Sequence, residues 1–268
     1  MPTIEQNLDT WDRVYDWTGG GDEWSSAWGT VDAHWYFTIL PRIHRFVPAD
    51  TILEIAPGFG RWTQYLAPLC GKLVAVDLSG KCIEHCREKF KAYQHLAFYA
   101  NDGKSLAMVA DGSVDFAFSF DSLVHAEEDV VEAYVGQLAK KLKPDGTAFI
   151  HHSNAGSYER YRVACGRLPN KIRKLLFRWN VLENFDRHQR ARSMTAEKFR
   201  RFAQDAGFGH IAQEVINYDT SRSLIDCISV LGKRAPGAAG SCRVVRNSGF
   251  VREAASARAL SRLYDMRK

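Results

Sequence analysis

Residues 54–60 read Glu54-Ile55-Ala56-Pro57-Gly58-Phe59-Gly60, and they close an apolar run, TILEIA (51–56), just ahead of a helical stretch at 61–69. A carboxylate at a strand end, two glycines one residue apart and then a helix make a strand-to-helix turn built to hold a ligand. Glycine lets the backbone approach a ligand closely, and the free N–H groups of the next helix lend positive character to the turn.

Outward from this turn, short apolar runs alternate with helical segments, the pattern of βαβ units around a parallel sheet. The runs are KLVAVDL (72–78), LAFYAND (96–102), VDFAFSF (114–120), TAFIHHS (147–153), HIAQEVIN (210–217) and LIDCISVLG (224–232). Helices are predicted over 80–92, 127–142 and 195–206, with the KPDG turn (143–146) feeding the fifth strand. The fold class is α/β: a Rossmann-like, seven-stranded, mostly parallel sheet with helices on both faces.

Two ligands compete for the turn, a dinucleotide and S-adenosylmethionine. In a dinucleotide fingerprint GxGxxG a third glycine permits close helix packing around a pyrophosphate, but the register from Gly58 and Gly60 puts Thr63 there, after bulky Arg61 and Trp62. Glu54 would repel a pyrophosphate, whereas a carboxylate suits a ligand carrying an ammonium and a sulfonium. The chain here resembles the class I S-adenosylmethionine-dependent methyltransferases over about residues 50–232, and within them the small-molecule and sugar O-methyltransferases. The acidic-x-x-x-Gly-x-Gly of that family is matched by Glu54, Gly58 and Gly60, with Ala56 and Pro57 between. The resemblance implies that Asp77, 23 residues after Glu54, holds the ribose hydroxyls, and that Leu78 packs on the adenine. It further implies that Asp102 beside Gly103 accepts the adenine amino group, and that the backbone at Phe120 meets the donor's amino group. Taken singly, Asp77 or Asp102 could equally cap a helix or start a turn.

The family's active-site mouth follows the fourth strand, which here reads Asp121-Ser122-Leu123-Val124-His125. Histidine has a pKa near working pH, and His125 is the first candidate for a base that takes the proton of an acceptor hydroxyl. The alternative is that it merely caps the following helix. His151 and His152 end the fifth strand on opposite faces, so at most one looks into the site, and these two are the second candidates. Asp121 with His125, His152 or Asn154 could contribute to a magnesium site, although the spacing does not define one. The Asp/Asn-Pro-Pro-Tyr/Phe signature of methyltransferases acting on planar nitrogen is absent, which argues against DNA as substrate.

The chain has 268 residues and a formal net charge of +5 that hides an asymmetry: residues 1–154 sum to −8, residues 155–203 to +9 and residues 233–268 to +7. The basic block RYRVACGRLPNKIRKLLFRW (160–179) can attract an anionic acceptor or RNA, or can be a solvated amphipathic surface. Five of the seven tryptophans fall in the first 47 residues, and Pro41 should bend or split a helix at 31–46. Taken with the resemblance, these features imply an N-terminal Trp-rich helical cover (1–47), a methyltransferase domain (48–233) whose insertion (155–192) falls where the family builds its acceptor lid, and a basic C-terminal tail with a helix (234–268), its 234–249 portion a loose connection. No stretch approaches the roughly 18 uninterrupted apolar residues of a membrane span. The six sparse cysteines read as reduced thiols and the protein as cytoplasmic. The acceptor is expected to be a small molecule or glycan, and the basic block suits an anionic one. RNA methylation and a non-catalytic donor-binding scaffold are the alternatives, and the C-terminal helix is a tail or an oligomer contact.

Overall fold

A computed structural model describes residues 3–179, 181–183, 189–218, 222–233 and 240–264. The β-rich part of the sequence forms one eight-stranded sheet in the order β3-β2-β1-β4-β5-β7-β6-β8. Its strands are β1 (Ala49–Ile55), β2 (Cys70–Asp77), β3 (Leu96–Ala100), β4 (Val114–Ser119), β5 (Leu142–Ser153), β6 (Phe208–Ile216), β7 (Asp226–Lys233) and β8 (Ser241–Asn247). β1 through β5 pair in parallel, and β7 runs antiparallel between β5 and β6. The sheet has eight strands where the sequence suggests seven. The extra one, β8, lies parallel to β6 inside the stretch read as a loose connection, because its residues are exposed or half-buried and so lack the apolar alternation that marks a strand. Residues 234–239 and 265–268 of the expected tail lie outside the described residues.

Alternate residues of each central strand bury into opposite faces. Leu53, Ile55, Val74 and Val76 pack with Val131, Val135, Phe199 and Phe202, whereas Ile52, Leu73, Ala75, Phe116 and Phe118 pack with Trp35, Ile39, Ile43 and Phe250. The helices in chain order are α1 (Ile4–Leu8), α2, α3 (Thr63–Leu66), α4 (Gly80–Lys89), α5 (Glu128–Lys141), α6 (Glu159–Gly166), α7 (Asn170–Arg178), α8 (Ala196–Asp205) and α9 (Phe250–Leu263). α2 is one run of three pieces, Val31–His34, a π-turn at Trp35–Ile39, and Leu40–Ile43. Pro41 lacks an N–H and its ring needs room against the preceding turn, so the helix widens there instead of breaking. α9 belongs to the core: Phe250, Ala254 and Ala257 are buried, and Arg42 of α2 bonds both Glu214 of β6 and Glu253 of α9. Among the described residues no helix is long and apolar enough to cross a membrane.

Strand order reverses between β1 and β4, and their carboxyl ends diverge into a crevice, which is where open α/β sheets bind ligands.

Candidate active site

The turn after β1 is held in the left-handed region, with φ of +59° at Ala56, +57° at Gly58 and +78° at Gly60. A Cβ at Gly60 would lie 2.4 Å from the Phe90 ring, so glycine there is a packing requirement as well as a conformational one. Asp77, at the end of β2, clasps the turn: Oδ2 accepts from Gly58 N at 3.0 Å and Oδ1 from Ser79 N at 2.8 Å. Burial raises its pKa to about 6 against these hydrogen bonds. Asp77 lines the crevice with unused lone pairs on both oxygens, since a carboxylate offers about four acceptor positions.

Glu54 is placed differently from the sequence expectation. It lies beneath the turn and outside the cavity lining, accepting from Thr63 Oγ1 at 2.6 Å, and burial pushes its pKa to about 8. The residue that displaces the third glycine of a dinucleotide site, Thr63, is thus the partner of the motif's acid.

The cavity is partly open to solvent and draws its lining from the β1–β2 turn, the β4 end and the N-terminal segment. Ala56, Pro57, Gly58, Asp77, Leu78 and Gly103 line one side, and Phe120, Asp121, Ser122, Leu123 and His125 the other. Ile4, Asn7, Trp11, Trp17, Gly20, Gly21 and Trp24 of the N-terminal segment form the roof, and Tyr134 of α5 a deep wall that the sequence reading missed. Trp17 stacks on Phe59 at 4.4 Å, and Asn7 donates to the His125 carbonyl at 3.2 Å, which ties the roof to both sides. Among the described residues none of the 155–192 insertion lines the cavity, so the described walls are aromatic and N-terminal. Trp28 and Trp35 are buried in the core instead. Asp102 does not line the cavity either: its exposed carboxylate accepts from Lys104 N and Ser105 N and starts a turn.

Asp121 has φ of +64°, and its carboxylate meets Arg61 Nη2 at 2.9 Å, Tyr218 Oη at 3.2 Å and Arg190 Nη2 at 3.8 Å. Burial alone would raise its pKa, but Arg61, Arg190 and His151 hold it at about 2. Arg190 is held more fully by Asp226, with Nε 3.1 Å from each oxygen and Nη2 at 2.9 Å. His151 joins this network, accepting from Asp121 N at 3.1 Å through Nδ1 and standing 3.4 Å from Asp226 through Nε2.

His125 lines the cavity beside Trp11, with ring centroids 5.3 Å apart. Its Nδ1 lies 3.0 Å from the Gln189 carbonyl. A carbonyl can only accept, so Nδ1 carries the proton and Nε2 the lone pair. Burial and the nearby Arg190 draw its pKa down to about 4. His152 is not brought to the site: it stacks on Phe199 at 4.0 Å on the opposite face of the sheet, with Nε2 2.8 Å from Ser229 Oγ, and burial lowers its pKa to about 3. Asn154 is spent on Leu224, Ser157 and Ala196. Among the described residues no group of three or more His, Cys, Asp or Glu side chains is arranged to hold a metal ion.

A sheet with β3-β2-β1-β4-β5-β7-β6 at its heart, a left-handed glycine turn after β1 and an acid ending β2 give this chain the fold of the class I S-adenosylmethionine-dependent methyltransferases. Residues 52–146 match the family model of a methyltransferase domain. Phosphoethanolamine N-methyltransferase 1 of Triticum aestivum is 34% identical over 118 residues, covering 42% of this chain and 24% of that protein, so the chain spans about a quarter of that relative's length. Nodulation protein S of Bradyrhizobium diazoefficiens is 27% identical over 152 residues, 54% of this chain and 69% of that one. A crystal structure of a Pyrococcus horikoshii OT3 protein superposes with a TM-score of 0.52 at 16% identity, covering 84% of this chain and 96% of the other.

Proposed function

We propose that the protein transfers a methyl group from S-adenosylmethionine to a hydroxyl oxygen of a small molecule or carbohydrate, with His125 as the base. The carrying observation is His125 itself: it lines the same cavity as Asp77 and the glycine turn, and its Nδ1 is committed to Gln189, which leaves Nε2 to accept a proton. The donor, when bound, supplies a methyl group on a positively charged sulfur. Asp77 would take the ribose hydroxyls, Leu78 and Gly103 would border the adenine, and the turn at Ala56–Gly60 with Phe120 would hold the amino-acid end. The poorly neutralised Asp77 at the cavity wall fits such a cation. The aromatic roof would exclude water and orient the acceptor, and alignment of this kind supplies up to about 7–11 kcal/mol of a displacement barrier. The free cysteines fit a reducing, cytoplasmic setting.

An amine acceptor is the second reading, favoured by the match to the wheat phosphoethanolamine N-methyltransferase. Isotopically labelled donor incubated with fractionated sugar, amine, nucleotide and RNA pools decides between them, the product being a methyl ether or a methylamine. His125→Ala should lower turnover about 100-fold or more, the usual worth of a positioned base, while leaving S-adenosylhomocysteine affinity unchanged. Because the imidazole must be neutral, turnover should persist down to about pH 4 and fall below it. Undiminished turnover in the variant removes His125 from the chemistry.

A further inference from the structure

Arg61 lines the cavity, with 4% of its surface exposed, and it is packed between two indoles, its guanidinium carbon 4.5 Å from the Trp62 ring centroid and 5.2 Å from that of Trp24. Its guanidinium makes one hydrogen bond among the described residues, Nη2 to Asp121 Oδ2, and Nη1 makes none. The neighbouring Arg190 is paired with Asp226 through two nitrogens. Asp121, by contrast, divides its charge among Arg61, Arg190 and the Tyr218 hydroxyl. Arg61 is therefore the under-satisfied cation of the pair. A buried donor without an acceptor is costly, and a planar guanidinium is suited to carboxylate and phosphate oxygens.

We propose that Arg61 is an anion-binding residue for the methyl acceptor, so that the acceptor carries a carboxylate or phosphate that docks between Trp24 and Trp62. Position supports the acceptor as the anion's source. Arg61 contacts Trp24 of the roof, Trp24 packs on Trp11 at 5.8 Å, and Trp11 packs on His125. The cation and the base thus share one aromatic wall, while Asp77, Leu78 and Gly103 belong to the other side. This inference rests on the methyl-transfer reading and deepens it.

The test titrates inorganic phosphate into the full-length protein saturated with S-adenosylhomocysteine, followed by equilibrium dialysis, for the wild type and Arg61→Met. Nucleoside binding is measured in parallel with S-adenosylhomocysteine and with 5′-methylthioadenosine, which lacks the amino-acid carboxylate. The expected result is saturable phosphate binding at one site per chain, weakened about tenfold or more by the substitution, with both nucleosides bound within about twofold of wild type. If Arg61→Met does not fold, Arg61→Met with Asp121→Asn removes both partners of the ion pair and carries the same readout. Phosphate binding that is absent from the wild type, or unchanged in the folded variant, overturns the proposal. So does selective loss of S-adenosylhomocysteine with 5′-methylthioadenosine retained, which would make the donor's own carboxylate the partner of Arg61. A wild-type protein that binds neither nucleoside overturns the methyl-transfer reading as well, which the phosphate outcomes alone do not.

Discussion

Two pairs of buried carboxylates sit at the carboxyl edge of the sheet and meet burial in opposite ways. Glu54 and Asp77, on the β1–β2 side, have only neutral hydrogen-bond donors around them, and burial lifts their pKa values to about 8 and about 6. Asp121 and Asp226, on the β4–β7 side, are equally removed from water, but Arg190 and His151 act on both, and Arg61 on Asp121, to hold them below the ordinary value. The second pair is neutralised within the chain and acts as a structural clamp. The first is left short of positive charge, and a cationic ligand in the crevice would supply what the chain does not.

The sharpest way to break this comparison is to remove one acid from each pair. Asp226→Ala removes the fuller of the two carboxylate partners of Arg190 and should cost about 3–5 kcal/mol of stability in a urea titration. Asp77→Asn keeps one of the two acceptor oxygens that clasp the turn, so it should cost the unliganded fold less, about 1–2 kcal/mol, yet weaken S-adenosylhomocysteine about tenfold or more by calorimetry. Equal losses of stability from the two substitutions would erase the distinction.

The pH dependence separates the pairs next. Glu54 and Asp77 bind protons more tightly folded than unfolded, so their contribution weakens the unliganded fold as pH rises from about 4 to about 8. Asp121 has the opposite sign: its contribution is complete above the unfolded value of 3.8 and is lost as pH falls through about 2. Thermal melts across this range should show the alkaline-side loss shrink in Asp77→Asn and under saturating S-adenosylhomocysteine. A profile unaltered by both would mean that Asp77 is not starved of charge.

The smallest effect concerns the turn that connects the two sides. Ala56 holds a left-handed conformation costing a non-glycine residue about 1–2 kcal/mol, of which glycine's entropy cancels about 0.5–1. Ala56→Gly should therefore stabilise the fold by about 0.5 kcal/mol, measurable as a rise in the urea midpoint.

Much of the fold was legible because strand and helix periods are local. The seven runs from TILEIA to LIDCISVLG each became a strand, whereas β8 was missed because neither face of SCRVVRN is buried enough to show a pattern. The site was legible in part. Asp77, Gly58, Gly103, Phe120, Asp121 and His125 converge on one cavity, while His152 points into the opposite face and Asp102 is spent on its own turn. Arg61 and Trp24, which follow and precede obvious motifs, carried no signal of their own, since their roles depend on partners distant in sequence.

The amino-acid order by itself determined the alternation of strands and helices, the ligand-holding turn after β1 and the acid closing β2, since each is written within a few residues. Only the folded chain decided which charges neutralise one another and which tautomer His125 adopts. Arg61 reaches Asp121 across 60 residues, Arg190 reaches Asp226 across 36, and His125 finds the Gln189 carbonyl across 64. Such pairings exist only once the sheet has brought the ends of β4, β5 and β7 to one edge, where burial makes every unpaired charge costly.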